Sequence, residues 1–429
     1  MDYQSFLTHI YERYSGNVKL GLDRMYGILE KMGNPEKKIK GIHIAGTNGK
    51  GSVSAMSEAL SIGQGYSTGM NTSPHLIDYC ERFRFNGKNI DYTEIMNIHS
   101  QYQTIFDEFE ASFFEITTAI AFELMYQKQV DTSIIEVGLG GRLDGTNPFN
   151  STVCVITTIS LDHPKSLGSS IEEIAYEKAG IIKEFTPVVL GNIVDEAKKV
   201  IQKVAQEKKA PVYLFNKDYF ISNVCVSEEG TTFNYEMPDK KIKLDQIKIN
   251  MLGEHQAINA ASALTAFILY NEAIQRVIDF TKVRESLQKI NWFGRMQVLH
   301  TNPLVIIDGA HNEEGITTLI SNLKKMFPGK FIRFVVAILR DKKLDNMIAD
   351  ICRFGQEIYI SKNKSERAAD LEEQIEVAKQ FDIPYFGFDD VLSATSEAWK
   401  KTQAHEILVI TGSLYTIAEI LKIKEDLFK

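Results

Sequence analysis

Within the stretch Ile42-His43-Ile44-Ala45-Gly46-Thr47-Asn48-Gly49-Lys50-Gly51-Ser52, three glycines and a lysine fall inside six residues. A glycine-rich loop between an apolar run and a helix-compatible run suits phosphate binding. Its N–H groups and the helix N-terminus turn positive charge toward an anion. In that arrangement Gly46, Thr47, Asn48, Gly49 and Gly51 line the phosphates. Lys50 reaches the outer ones, and the Ser52 hydroxyl lies where Mg²⁺ is held. The strict G-x-x-x-x-G-K-[ST] pattern is missed twice, because Ile44 stands at its first glycine and Gly51 separates Lys50 from Ser52. The plain alternative is a strand-to-helix turn with a solvent lysine. A second candidate is Glu136, at the end of the apolar run Ile134-Ile135 and ahead of Val137-Gly138-Leu139-Gly140-Gly141-Arg142-Leu143-Asp144-Gly145-Thr146-Asn147. A carboxylate ending a buried strand needs a partner. Mg²⁺, which prefers oxygen ligands, would be one.

These residues need elements to carry them. Residues 3–32 carry apolar spacings of three and four, including Tyr3, Phe6, Ile10 and Tyr14, and are expected to be helical up to Gly33-Asn34-Pro35. Residues 42–44 and 130–136 are expected as buried parallel strands, residues 113–129 as a helix, residues 152–160 as a strand, and residues 171–183 as a helix. Residues 212–250 alternate in polarity with turn signals at Glu229-Gly230 and Pro238-Asp239, which reads as a small antiparallel excursion. From 303 a strand–helix alternation restarts, with strands expected at 304–307, 331–339, 357–361, 383–388 and 406–411. The fold class is therefore α/β. A parallel mononucleotide-binding sheet with the antiparallel excursion spans 1–296, and a doubly wound, Rossmann-like domain spans 297–429.

The 429 residues are 44% hydrophobic and 24% charged, as in a water-soluble globular protein. A net charge of −8 disfavours nonspecific nucleic-acid binding. No window approaches a membrane span of about 20 apolar residues. Met1-Asp2-Tyr3-Gln4 lacks the basic start of a secretory signal, and Cys80, Cys154, Cys225 and Cys352 form no pairing motif. A cytoplasmic protein with thiols used for packing is expected, as a monomer with small-molecule substrates and neither nucleic-acid nor membrane partners.

The loop G-T-N-G-K-G-S, the segment Ser73-Pro74-His75-Leu76, the block from Glu136 to Asn147, Leu161-Asp162-His163, the K-A-G-I-I-K segment from Lys178 to Lys183, Gly253-Glu254-His255-Gln256 through Asn259-Ala260, Gly294-Arg295 and Asp308-Gly309-Ala310-His311-Asn312 follow one another in order. Together they resemble the folylpolyglutamate synthase/dihydrofolate synthase family of the Mur ligase superfamily. Gly145, Phe293, Gln297 and Glu313 depart from the family's usual alanine, proline, glutamate and proline.

The resemblance implies ATP clamped between two domains, with two Mg²⁺ ions. Ser73, Glu136 and His163 are implied as metal ligands. So is Lys178, through a carbamate formed with CO₂. Asn259 is implied at the adenine, Arg295 at the phosphates, Asp308 and His311 at the nucleotide and its cleft, and Phe114 and Asp144 at the folate. Lys50, His163, Lys178 and Arg295 are thereby the implied catalytic set. The activity implied is ligation of L-glutamate to the γ-carboxylate of a folate through an acyl phosphate, giving ADP and phosphate. Dihydropteroate is a further candidate acceptor. Alternatives are a Mur-type ligase acting on a UDP-linked muramyl peptide, a P-loop phosphotransferase and a regulatory nucleotide-binding module.

Overall fold

The fold was analysed in a computed structural model, which describes residues 3–13 and 21–428; Tyr14 of the first expected helix lies outside them. The chain forms two compact units, one of Met1–Val224, Thr232–Ile249 and Gln256–Ile290, the other of Cys225–Thr231, Asn250–His255 and Asn291–Lys429.

The first unit is built on an eight-stranded sheet of β1 (Gly41–Ala45), β2 (Thr68–Asn71), β3 (Phe83–Phe85), β4 (Lys88–Asn89), β5 (Thr132–Glu136), β6 (Val153–Ile156), β7 (Val188–Leu190) and β8 (Val212–Leu214), in the order β4-β3-β2-β5-β1-β6-β7-β8. The central strands β1, β5 and β6 are buried at every position. That accounts for their near-continuous apolar runs, since helices cover both faces of a parallel sheet. Register matters most for function. Ile44 lies beside Glu136, Ala45 beside Ile156, and Asn71 beside Ile135, all in parallel pairs. The segments after β1, β2, β5 and β6 therefore leave the sheet at the same edge, the carboxyl ends where parallel sheets expose ligands.

Helix Lys50–Gly63 follows β1 and is buried along most of its length. Its serines, alanine and glycines let it approach the sheet closely, so no amphipathic stripe shows. Helix Phe113–Gln127 is started by Ser112 and Glu115 in a reciprocal capping box. It packs Ile116, Ile120 and Phe122 into a core shared with Phe6, Ile10, Met25 and Phe106.

Several expected boundaries moved. The first helical stretch resolves as Tyr3–Glu12 and Asp23–Lys31. The strand expected over 152–160 stops at Ile156, because the backbone and hydroxyls of 157–160 are taken up by the loop after β1. The helix expected to reach residue 183 ends at Ala179, leaving Ile181-Ile182-Lys183 outside it. Val212–Leu214 belongs to the main sheet as a parallel edge beside β7 and not to the antiparallel excursion. That excursion is the three-stranded sheet of β9 (Phe220–Ser227), β10 (Gly230–Met237) and β11 (Ile242–Ile249).

The second unit holds β12 (Gln297–Thr301), β13 (Leu304–Ile307), β14 (Ile332–Val336), β15 (Glu357–Ser361), β16 (Tyr385–Phe388) and β17 (Ile407–Thr411), ordered β12-β13-β17-β14-β15-β16. Only β12 runs antiparallel; the other neighbours are parallel pairs. The strand expected over 331–339 is trimmed to Ile332–Val336, and Leu339 instead bridges Ala368. Arg333 is buried between Glu357 and Glu406 at the start of β14. Among the described residues no helix is long and apolar enough to cross a membrane. Cys154 and Cys352 are buried as expected and Cys80 is half-buried, but Cys225 is exposed and does not serve packing.

Candidate functional site

The loop after β1 is shaped by two glycines in the left-handed half of backbone space, Gly46 at φ 149° and Gly49 at φ 88°. A Cβ on Gly46 would stand 1.9 Å from Thr157 Oγ1, and one on Gly49 would stand 2.6 Å from Asn259 Oδ1. Both positions need glycine for space as well as for conformation. The strand-end residues of β6 hold the loop from the side. Thr47 N donates to Thr158 O at 2.8 Å, Asn48 N to Thr158 Oγ1 at 3.0 Å, and Thr157 Oγ1 to Asn48 O at 2.6 Å. Ser160 N donates to Thr47 Oγ1 at 3.1 Å. Asn259 donates from Nδ2 to Gln256 Oε1 at 3.1 Å, which orients its amide beside Gly49.

Two ammonium groups meet on one carbonyl. Lys50 Nζ donates to Gly46 O at 3.0 Å and Thr47 O at 3.1 Å, while Lys178 Nζ donates to the same Gly46 O at 2.8 Å. Lys50 is therefore not an exposed loop residue: it opens the helix and is half-buried. Lys178 is buried in the last turn of helix Ile171–Ala179. Burial, with the Lys50 charge beside it, brings the Lys178 amine down to about 7, against the opposing pull of Asp162 and Asp144. A substantial neutral fraction at physiological pH follows, as an amine nucleophile requires.

Glu136 is buried at the end of β5 and accepts from Ser73 N at 3.2 Å, so the two expected metal ligands are adjacent. His163 sits at φ 51° ahead of the short helix Pro164–Leu167, its ring Nε2 3.8 Å from Asp162 Oδ2. Among the described residues no three His, Cys, Asp or Glu side chains form a ready metal cage. Mg²⁺ does not require one, since it takes one or two carboxylates along with waters and phosphate oxygens. The donor chemistry fits. The Ser52 hydroxyl is buried without a hydrogen-bond partner in the first turn of the helix, two residues after Lys50. An orphaned buried hydroxyl at this point is one that an incoming ion or phosphate would satisfy.

The turn after β5 folds around Asp144. Its carboxylate accepts from Leu139 N at 2.7 Å, Thr146 N at 3.0 Å and Thr146 Oγ1 at 2.5 Å. Burial raises its pKa, opposed by these hydrogen bonds. His43 Nε2 lies 2.9 Å from Thr146 Oγ1. The threonine hydrogen points to Asp144, so His43 donates from Nε2 and is neutral; burial holds it down to about 3. Phe114 lies across this turn: a Cβ on Gly138 would meet its ring at 2.4 Å, and one on Gly145 would lie 3.4 Å away.

In the second unit Asp308 follows β13 and is buried. It accepts from Met296 N and Ala310 N, each at 2.8 Å, and so ties the turn holding Arg295 to the strand end. Burial raises the Asp308 pKa, and the Arg295 charge opposes the rise. His311 Nδ1 lies 2.9 Å from Gly309 O.

The structure thus brings Gly46, Thr47, Asn48, Gly49, Lys50, Gly51 and Ser52 together with Lys178 and Asn259, and sets Ser73 beside Glu136. Arg295 and Asp308 are adjacent in the other unit. Sequence reading passed over Thr157, Thr158 and Lys183. It also passed over His43, whose one legible signal is a histidine inside an otherwise apolar strand.

Loops gathered at the carboxyl edge of a parallel sheet, with a lysine-bearing glycine loop between the first strand and its helix, place the chain in the class of α/β proteins built like mononucleotide-binding domains. Residues 44–267 match the Mur ligase middle domain, and residues 294–414 match the Mur ligase glutamate ligase domain. The dihydrofolate synthase/folylpolyglutamate synthase of Bacillus subtilis is 37% identical over 433 residues, covering 98% of both chains. Folylpolyglutamate synthase of Mycobacterium tuberculosis, solved with ADP, superposes with a TM-score of 0.91 at 28% identity and 98% coverage of each chain. The bifunctional folylpolyglutamate synthase/dihydrofolate synthase of Yersinia pestis gives 0.87 at 29% identity, also covering 98% of each chain. The chain belongs to the dihydrofolate synthase/folylpolyglutamate synthase family of Mur ligases.

Proposed function

We propose that this chain is an ATP-dependent ligase that joins the amine of L-glutamate to the γ-carboxylate of a folate, and that it also takes dihydropteroate as an acceptor. The observation that carries the reading is the preformed cradle of residues 46–52, with Lys50 and Lys178 on one carbonyl, in a chain matched end to end by synthases of this kind.

A carboxylate oxygen of the acceptor attacks the γ-phosphorus of ATP, the bond to ADP breaks, and an acyl phosphate results. The glutamate amine then adds to the acyl carbon, loses a proton, and inorganic phosphate leaves. The loop N–H groups and Lys50 bind and orient the nucleotide's phosphates, and Lys50 leaves its carbonyl partners to do so. Ser52, Ser73 and Glu136 would hold one Mg²⁺, and His163 with a carbamate on Lys178 a second. Bound there, Mg²⁺ offsets the repulsion between an anionic acceptor and the nucleotide.

Asn259 is assigned to the adenine. Phe114 is assigned to the pterin, seated by Gly138 and Gly145. Asp144 serves the folate through the turn it folds, since its oxygens are taken up by Leu139 and Thr146. The roles of Arg295, Asp308 and His311 rest on their match to the family's blocks. We assign the nucleotide domain to residues 1–296 and the ligase domain to 297–429, acting as a cytoplasmic monomer. The Mur-type peptide ligase, phosphotransferase and regulatory readings are separated by one assay. ATP hydrolysis and incorporation of labelled glutamate are measured with tetrahydrofolate, dihydropteroate or neither. Turnover that needs both a folate-type acceptor and glutamate is expected; turnover independent of either overturns the reading.

A further inference from the structure

Lys183, the second lysine of the K-A-G-I-I-K segment, has no part in the reaction as drawn, yet it is half-buried. Burial brings its amine down to about 8. Its ammonium grips one residue twice, donating to Asn147 O at 2.6 Å and Asn147 Oδ1 at 2.8 Å. Asn147 Nδ2 in turn donates to Arg142 O at 2.8 Å. Arg142 closes the circuit: its N donates to Glu177 O at 2.7 Å, and its Nε and Nη2 donate to Glu177 Oε1 at 3.0 and 2.8 Å. Glu177 immediately precedes Lys178 in the last turn of helix Ile171–Ala179.

The two backbones touch where side chains are missing. A Cβ on Gly141 would meet Glu177 O and Lys178 O at 3.0 Å, and one on Gly180 would meet Arg142 Cα at 2.4 Å. Residues 141–147 and 177–183 therefore form a closed ring of hydrogen bonds around two glycine contacts. One arm of the ring begins just after Glu136, and the other carries Lys178.

We infer that Lys183 is a positioning residue: with Asn147 it clamps the turn after β5 to the end of helix Ile171–Ala179, and so fixes where Lys178 stands relative to Glu136. The inference rests on the proposed function only in naming Glu136 and Lys178 as active-site groups. A simple structural staple would predict loss of stability and nothing specific to the nucleotide. A positioning role predicts a change confined to the turn and to the nucleotide side of the reaction. Because Lys183 acts through Asn147 and the backbone, that change is no larger than the about 10- to 100-fold typical of direct outer partners of ligating groups.

The test compares Lys183→Met, Lys183→Arg and a destabilising control in a different core cluster, Ile95→Ala, all as the full chain. Hydrogen exchange within residues 138–147 and equilibrium affinity for ADP are measured alongside kcat and KM. For Lys183→Met, we expect about tenfold or faster exchange in 138–147, a loss of about 10- to 100-fold in kcat/KM for ATP, and a folate KM within about twofold of wild type. Lys183→Arg retains donors and charge and is expected to recover part of the exchange protection. Ile95→Ala is expected to lower thermal stability without either signature. Unchanged exchange in 138–147 for Lys183→Met, equal behaviour of the Arg and Met variants, or the same kinetic loss in Ile95→Ala at matched stability would overturn the inference. If the wild type shows no folate-dependent turnover, the ligase reading falls, while the exchange data still decide whether the clamp exists.

Discussion

Gly46 O accepts from two ammonium groups at once, and a carbonyl oxygen so placed keeps like charges closer than they would otherwise stand. The arrangement suits a loop awaiting polyphosphate, since an anion would draw Lys50 off and relieve the crowding. Lys50→Ala should lower turnover by about 10²-fold or more, the scale for removing one preorganised charge. The far-ultraviolet circular dichroism spectrum should be unchanged, and near-normal turnover would remove Lys50 from the phosphate site. Lys178 makes a different prediction, because its amine sits near neutrality. A carbamate there would supply two oxygens where an ammonium supplies none. Lys178→Ala should be nearly inactive and regain measurable turnover in acetate, whereas Lys178→Arg should stay inactive. Activity in the Arg variant, with no acetate response in the Ala variant, would mark Lys178 as a plain cation.

At the scale of the element, the turn after β5 shows how glycine placement seats an aromatic ring. Gly138 and Gly145 face the same ring, but a methyl group would stand 2.4 Å from Phe114 at the first and 3.4 Å at the second. The first distance forces the ring to move; the second is ordinary van der Waals contact. Gly138→Ala should therefore raise the KM for the folate-type acceptor several-fold while leaving the KM for ATP near wild type. Gly145→Ala, which restores the residue common in relatives, should stay within about 0.5 kcal/mol of wild-type stability and keep both constants. Steady-state kinetics with each substrate varied in turn checks both, and equal effects of the two substitutions would disconnect Phe114 from the acceptor.

At the scale of the whole molecule, among the described residues His43 and His99 are buried and His255 is half-buried, and all three are held toward the neutral form. Burial holds His43 down to about 3, and His99 and His255 down to about 4 each. An unfolded histidine titrates near 6.5. Between about 6.5 and 4 the unfolded chain therefore takes up protons that the folded chain does not, and these groups make stability fall as pH falls. His99 stands edge-on to Phe6 at 5.1 Å with its Nε2 buried and unpartnered, so a non-titrating aromatic ring at this position loses no hydrogen bond at Nε2. His99→Phe should shrink the drop in urea midpoint between pH 7 and pH 5 relative to wild type. An unchanged drop would show that His99 titrates normally in the folded state.

Much was determined by sequence alone. The apolar runs ending at Ala45 and Glu136, the glycine loop with Lys50, and the restart of strand–helix alternation after residue 303 are local patterns, and local patterns survive in a linear reading. Parallel strands buried on both faces announce themselves by composition, and a tight strand-to-helix loop by glycine spacing. Tertiary structure alone decided the rest. The strand expected over 152–160 stopped early because Thr157 and Thr158 spend their hydrogen bonds on Thr47 and Asn48, more than a hundred residues away in the chain. Val212–Leu214 joined the parallel sheet because an edge beside β7 was open to it, which alternation of polarity cannot reveal. Asp144 turned inward to its own turn, and Lys183 to Asn147, because a buried charge is satisfied by whichever donors or acceptors the fold brings within reach. Lys183 and Asn147 lie 36 residues apart, so their pairing was settled only when the chain closed on itself. The donors to Asp144 lie within its own turn, and burial of that turn is what tertiary structure added.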